Sequence, residues 1–504
     1  MSTILTPSQA QQIDVDLEQY FQPFRDQIIG LDASFQSPYG SKKIVYADWI
    51  ASGRLLGPIE DALCDQFGQM VGNTHSESTE TGTCMTHAYQ LAHQIIKQHV
   101  HASPDDVIIT AGAGMTSVLA KFQRILGIRL PEQLQKYCQI PQENRPVVFI
   151  THMEHHSNHT PWLESLADVV ILPPGDRLLV CPDQLRNEIE KYGDRTFKFG
   201  SFSACSNVTG IETPYHELAE IMHAYDGFCF VDFAASAPYV NIDMHPEYEL
   251  QSLDAIFFSP HKFLGGPGSS GVLIFNKKLY RNRIPDHPGG GTVTWTNPWG
   301  EHHYVEDIEI REDGGTPGFL QAIKAALAVR LKEKMQVKHI RAREQQLVEK
   351  TFTDLRKIPG IRILADDVEE RLGVFSFYFE GVHHNLVVRL LNDRFGIQVR
   401  GGCSCAGTYG HYLLEVSQAF SKKITDAIDR GDFSAKPGWI RLSLHPTTTD
   451  AELDYILESI AETAKNITVW KDDYVYDAHT NEFHHCDTRP KKPADFRDWF
   501  ELSY

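Results

Sequence analysis

The chain has 504 residues, 42% hydrophobic and 22% charged, with a net charge of -19 at neutral pH. That length implies two domains rather than one small core, and the acidic balance excludes bulk attraction to nucleic acid or to an anionic membrane surface. No apolar run reaches the ~18 residues of a membrane span, and the start MSTILTPSQAQQ lacks a signal-peptide pattern, so the nine scattered cysteines are expected as reduced thiols in a cytoplasm.

In chain order, Thr6-Pro7 reads as a cap and first position of a helix running through DLEQYFQPFRDQIIG to Gly30. YGSKKIVYADWIASGRLLGP follows as strand and turn. Asn73 to Thr83, NTHSESTETGT, is a polar loop, as readily a solvated connection as a substrate-side element. Asp106 to Gly114, DVIITAGAG, is a strand opening into a glycine turn, and MTSVLAKFQRIL then reads as a helix. Backbone N–H groups at such a helix start cradle phosphate, a pattern many α/β proteins share. PVVFITHMEHHSNHTPW is a strand ending in His152, His155, His156 and His159. Zinc binding by His152, His156 and His159 is the weaker reading, because no cysteine or acid spacing completes a site. DVVILPP is another strand, and FKFGSFSACSNVTG is one that ends at Asn207.

FCFVDFAASAP is a buried strand whose apolar run ends in one carboxylate, Asp232. Thirty residues on, LDAIFF ends at Ser259-Pro260, where proline breaks the ladder. His261 and Lys262 follow, and glycines 265, 266, 268 and 271 turn the backbone before GVLIF starts a further strand. A lysine at a strand's carboxyl end in an α/β sheet lies where ligands bind. Burial and a cationic neighbour there lower its pKa and free the amine for Schiff-base chemistry. The bland alternative is a surface lysine. Against it stands Asp232, since a carboxylate paired with a Schiff-base lysine is what pyridoxal phosphate requires to act as an electron sink.

After HPGGGTVTW, Asp313 to Pro317 precede a strong helical pattern. Residues 331–357, rich in Lys, Arg, Gln and Glu, read as a long exposed connector with a solvated charged face. From Ile361, GVFSFYF, GIQVRGG and WIRLSL alternate with helices HNLVVRLLNDRF and AELDYILESIAETA, which predicts a small α+β domain. Residues 471–504 read as a packed tail, with metal binding at His484 to Cys486 a minority reading. Val399 to His411, VRGGCSCAGTYGH, reads as a flexible loop able to carry a thiol. Two buried thiols, or a zinc half-site through Cys403, Cys405 and His411, are the weaker alternatives. An extended loop would turn Cys403 and Cys405 to the same side.

On SPHK, MEHHSN and this cysteine loop, the sequence resembles the class V aminotransferase-fold enzymes that use pyridoxal 5'-phosphate, over Tyr46 to Ile456. Within them it is similar to cysteine desulfurases, selenocysteine lyases and the amino-terminal domain of molybdenum cofactor sulfurases. The resemblance implies a fold type I, α/β large domain with a mostly parallel seven-stranded sheet (46–330) and a smaller α+β domain (331–470). An N-terminal helical segment (1–45) packs with the small domain and a tail closes the chain (471–504). It implies that Lys262 anchors the cofactor, Asp232 faces its pyridine nitrogen and His155 stacks on its ring and can move protons. Ala113 and Gly114 fall at the phosphate turn by backbone alone, Met115 replacing the usual acid, and Ser259 and His261 join the cofactor contacts. Asn207 touches cofactor or substrate carboxylate. Arg441 holds that carboxylate bidentately, and Thr316 gives its hydroxyl to the phosphate of a partner subunit, which implies a homodimer. Cys405 is the catalytic thiol, with Arg400 on the substrate side favouring its thiolate. Trp49 and Ile50 are expected to narrow the entry, and Ala235, Phe233 and Tyr239 replace a usual Gln, Gly and His. The implied reaction removes sulfur from L-cysteine, leaving L-alanine and a persulfide on Cys405 for an unnamed acceptor, without metal. The rivals are a same-fold lyase, epimerase or aminotransferase acting on another amino acid, and a cofactor-binding scaffold without turnover.

Overall fold

The apolar runs of the first half pair into one sheet. In the computed structural model, which describes residues 15–489 and 491–502, its strands in chain order are β1 (Asp106–Ala111), β2 (Val147–Thr151), β3 (Asp168–Leu172), β4 (Lys198–Ser203), β5 (Phe228–Asp232), β6 (Ala255–Phe258) and β7 (Gly271–Asn276). They lie in the order β1-β7-β6-β5-β4-β2-β3, with β7 antiparallel to both its neighbours and every other pairing parallel. This is the mostly parallel seven-stranded sheet expected. Its strands read as continuous hydrophobic runs because both faces are covered. Successive residues enter opposite cores: Val231, Ile256, Val272 and Ile274 pack on one side, and Phe230, Phe257, Leu273 and Phe275 on the other.

The second half forms an antiparallel sheet of four strands, β8 (Ile361–Ile363), β9 (Val374–Phe379), β10 (Arg400–Gly402) and β11 (Trp439–Ser443), in the order β8-β9-β11-β10. Phe375 and Phe377 of β9 and Ile440 and Leu442 of β11 share a core with Val387, Leu390, Leu453, Ile456 and Ile460 from the helices His384–Leu390 and Asp450–Trp470. These are the α+β elements expected after Ile361.

Before the sheets, Asp16 caps a helix Leu17–Arg25, whereas the Thr6-Pro7 start lies outside the described residues. Phe21 enters the large core, while Arg25 bonds Thr447 O at 2.9 Å and Glu452 at 2.7 Å, so the helix also grips the second half.

The connector departs from expectation. It is two helices, Phe319–Met335 and Val337–Leu355, broken at Gln336 with φ 58, and its charges are not all solvated. Lys332, Arg343 and Glu344 are buried. Each has a partner that the local sequence does not reveal: Lys332 reaches the Val240 carbonyl, Arg343 donates to Thr448 O at 2.9 Å, and Glu344 accepts from Gly373 N at 3.1 Å. Buried polar groups are tolerated when bonded in this way. The tail is packed only in its first half. The hairpin Tyr474–Asp477 and Glu482–His485 lies on helix His384–Leu390, but Trp499 and Phe500 are 80% and 83% exposed. Among the described residues no group of three His, Cys, Asp or Glu converges as metal ligands, and no helix is long and apolar enough to cross a membrane.

Candidate active site

The parallel strands β1, β2, β4, β5 and β6 end on one edge, and the segments after them enclose a cavity of about 350 Å³. Ten residues singled out from the sequence line it: Ala113, Gly114, His155, Asn207, Asp232, Ser259, His261, Lys262, Arg400 and Arg441. Asp232 ends β5, and Lys262 follows the neighbouring β6 in the short 3₁₀ turn Pro260–Lys262. The two are brought together because adjacent parallel strands end in register.

Burial sets the electrostatics. It pushes the Asp232 carboxyl up to about 7, against a bond from Ala234 N (2.8 Å to Oδ1) and the opposing charge of Lys262. It lowers the Lys262 amine to about 8, which Asp232 resists and Arg441 and Arg400 assist. His155 is held to about 3 by burial and then by Lys262. Its Nδ1 accepts from Ser157 N at 3.0 Å, capping the helix His156–Leu163, so the proton of the neutral ring sits on Nε2. His261 is lowered to about 4, by burial and Lys262.

At the phosphate turn, Gly114 precedes the helix Met115–Ile125, whose start has no side-chain cap. Ser259 Oγ accepts from Met115 N at 2.9 Å and ties this helix start to the lysine loop. A Cβ on Gly114 would lie 3.0 Å from that oxygen, a tight contact that glycine avoids.

Arg441, in the middle of β11, is 2% exposed. Its NH2 pairs with Asp48 Oδ1 at 2.6 Å and its NH1 donates to Asn207 O at 3.2 Å, while Nε has no partner among the described residues. Asp48 was not foreseen, although a carboxylate inside the apolar stretch YADWI was a signal. Trp49 does not narrow the cavity. It stacks on His445 at 4.4 Å inside the core, and only Ile50 lines the cavity.

The cysteine loop is neither extended nor free. It leaves β10 and turns through Ser404 (φ 50) and Cys405 (φ 57), both left-handed, before the helix Gly407–Leu413. The turn sends the two thiols apart: Cys403 packs against the large core, and Cys405, which does not itself line the cavity, has its Sγ 3.7 Å from NH2 of Arg400, which does. Asn207 Nδ2 donates to Ser404 O at 2.7 Å, so its amide holds this loop as well as facing the cavity. His411 spends both ring nitrogens on Gly407 O and Ser421 Oγ.

Glu154 is a further unforeseen member. Fully enclosed, it accepts from Thr151, Ser203 and Asn158, which hold the carboxyl against the upward push of burial and bind the end of β2 to the end of β4. Thr316 does not line the cavity. Its hydroxyl donates to Asn73 Oδ1 at 3.4 Å, in the polar loop before the helix Glu80–His99.

This constellation has relatives. Residues 45–456 match the model of the family described as aminotransferase class-V. A protein of Halalkalibacterium halodurans named probable cysteine desulfurase is 29% identical over 372 residues, 72% of this chain and 84% of its own. Among solved structures, the cysteine desulfurase of Thermococcus onnurineus NA1 superposes with a TM-score of 0.68 at 21% identity, covering 84% of this chain and 95% of that one. A cysteine desulfurase of Escherichia coli gives 0.67 at 22%, covering 88% and 98%. The family match runs from the strand beside Asp48, through every segment that encloses the cavity, to the last helix of the small sheet; the chain belongs to the class-V aminotransferase family.

Proposed function

We propose that the chain is a pyridoxal-phosphate-dependent cysteine desulfurase, removing sulfur from L-cysteine to give L-alanine and a persulfide on Cys405. The single observation that carries this reading is Cys405 Sγ, 3.7 Å from Arg400, which lines one cavity with Lys262 and Asp232. The residues present fit the cofactor. A buried amine lowered to about 8 and a carboxyl with one oxygen left for a ring nitrogen face the cavity, and the helix start after Gly114, where Ser259 takes only the Met115 N–H, offers a further backbone N–H to a phosphate. Lys262 would anchor it, Asp232 would hold the proton at the pyridine nitrogen and His155 would cover the ring. Pyridoxal phosphate, when bound, supplies an aldehyde for the substrate amine and a ring that withdraws electrons.

The chain's own groups carry the remaining steps. Arg441 and Arg400, which both line the cavity, receive the substrate carboxylate. Lys262, once freed by the incoming amine, takes the proton from the substrate Cα. Cys405, as thiolate, attacks the substrate sulfur. The S–S bond forms as the C–S bond breaks, the electron pair returns to the substrate carbon, and protonation yields alanine. Residues 46–330 then serve as the cofactor domain and 331–470 as the substrate-side domain. Thr316 reaches the phosphate of a second copy in a homodimer, and an acceptor, protein or small molecule, takes the persulfide sulfur in the cytoplasm.

One observation favours a second reading. The Asp48 carboxylate already pairs with Arg441, and Ala235 offers no side-chain donor to the cavity, as would suit a same-fold lyase or epimerase with a different anchoring group. Incubation of the purified protein with L-cysteine and a reductant decides between them. Alanine release with a trapped persulfide on Cys405 supports the desulfurase. Normal turnover in the Cys403→Ala, Cys405→Ala double variant removes it.

A further inference from the structure

Two adjacent non-glycine residues in the left-handed region, Ser404 and Cys405, are an uncommon conformation, disfavoured by about 1–3 kcal/mol each. Such a turn persists only where its surroundings over-determine it. The contacts on it converge on one residue of the large sheet's edge. The His156 main-chain N–H donates to Cys405 O at 2.7 Å, and His156 Nε2 accepts from Gly407 N at 3.0 Å. A single residue therefore holds the two peptide groups that flank Ala406, immediately after the reactive cysteine. Asn207 fixes Ser404 O from below, and Ala406 N bonds Cys403 O at 3.0 Å within the turn.

His156 is half-buried. Burial and then Lys436 keep its ring below the usual imidazole range, in the neutral form that can accept from Gly407. Because Nε2 accepts, the ring proton sits on Nδ1. The fit leaves little slack, since a Cβ on Gly407 would lie 3.3 Å from that nitrogen. The neighbouring His155 faces the cavity, so one dipeptide at the end of β2 carries the ring that lines the cavity and the ring that holds the thiol's turn.

We propose that His156 is a positioning residue for Cys405: by holding the two peptide groups that follow the cysteine it fixes the exit of the left-handed turn and aims the thiol toward Arg400 of the cavity wall. The effect on turnover rests on the desulfurase reading above, whereas the effect on the thiol does not. The chemical demand is orientation, because a nucleophile misplaced by about 1 Å loses up to roughly a hundredfold in rate.

The test compares His156→Leu, which removes the ring acceptor, with His156→Gln, whose side-chain oxygen can accept from the Gly407 N–H, both as holoenzyme. Two quantities are read: the alkylation rate of Cys405 by iodoacetamide, located by peptide mass spectrometry, and kcat and KM for L-cysteine. His156→Leu is expected to alkylate several-fold faster at Cys405, with Cys403 unchanged, and to lose about 10- to 100-fold in kcat with KM unaltered. His156→Gln is expected to restore both. If His156→Leu does not fold, Gly407→Pro deletes the same hydrogen bond from the donor's side, at a first helical position where proline is tolerated. Wild-type alkylation in His156→Leu or in Gly407→Pro overturns the proposal, as does a His156→Gln variant as impaired as His156→Leu. If wild-type protein releases no alanine, the desulfurase reading fails and the alkylation rates still decide the role of His156.

Discussion

Replacing Asp232 with asparagine separates what the carboxylate costs the fold from what it does in the site. Burial raises its carboxyl from 3.8 to about 7, so the charged form is the one disfavoured. Between those values the folded protein keeps a proton that the unfolded chain has lost. Stability therefore declines as pH rises above 3.8, and the loss is complete once pH passes about 7. At 1.36 kcal/mol for each pH unit the interval amounts to about 4 kcal/mol, an upper bound because relaxation around the charge reduces it. Asparagine keeps the shape and can still accept from Ala234 N, but its buried amide donors are left unmet at about 1–3 kcal/mol. The assay is urea unfolding of cofactor-free protein at pH 4.5 and pH 8, beside turnover of the loaded enzyme. The midpoint of Asp232→Asn relative to wild type should rise between the two pH values, while turnover falls by about a thousandfold or more. A midpoint difference that ignores pH refutes the burial argument, and near-wild-type turnover refutes the electronic role.

Lys262→Ala should abolish covalent retention of cofactor; borohydride reduction and peptide mapping of wild type should label Lys262, and a label on another lysine refutes the anchor. Arg441→Ala should raise KM for cysteine by about 10- to 100-fold, the loss of a charged hydrogen-bonded contact, while cofactor binding is spared. Asp48→Asn, which leaves Arg441 uncompensated, should change KM rather than cofactor affinity, and identical saturation curves for both variants would argue against carboxylate recognition there. Cys403→Ala should leave alanine formation within about twofold of wild type, because its thiol packs on the core; a persulfide found on Cys403 in Cys405→Ala reverses that assignment.

What the sequence made legible here follows from how far each interaction reaches along the chain. Asp232 and Lys262 stood out because each ends an uninterrupted apolar strand, and parallel neighbours then bring strand ends together without further information. Three of the four strands of the second sheet were legible as the runs GVFSFYF, GIQVRGG and WIRLSL, whereas the three-residue β8 was too short to stand out. Asp48 was hidden because its partner Arg441 lies 393 positions away. The buried face of the connector was hidden likewise, since Arg343 depends on Thr448 and Asp450 from a later helix. The Cys405 turn was misread because glycine-rich composition suggests freedom, whereas the left-handed φ angles fall on Ser404 and Cys405 and are imposed by His156 and Asn207 from elsewhere. Two of the histidines weighed as zinc ligands serve the cysteine loop: His156 holds the peptides after Cys405, and His159 Nδ1 lies 3.5 Å from Thr408 Oγ1.

The reversal of β7 bears on the order in which the site is assembled. Because β7 runs against β6, the lysine-bearing segment is a local hairpin closed by residues 259–270, whereas pairing β7 with β1 closes residues 112–270, roughly thirteen times more chain. By loop-closure entropy the second event is dearer by about 2 kcal/mol. The lysine and its turn can form from neighbours alone, while the Gly114 phosphate turn reaches them only when β1 docks. During refolding, protection of β6 and β7 amides from hydrogen exchange is therefore expected before protection of β1, and capacity to hold the cofactor should return with β1 rather than with the hairpin.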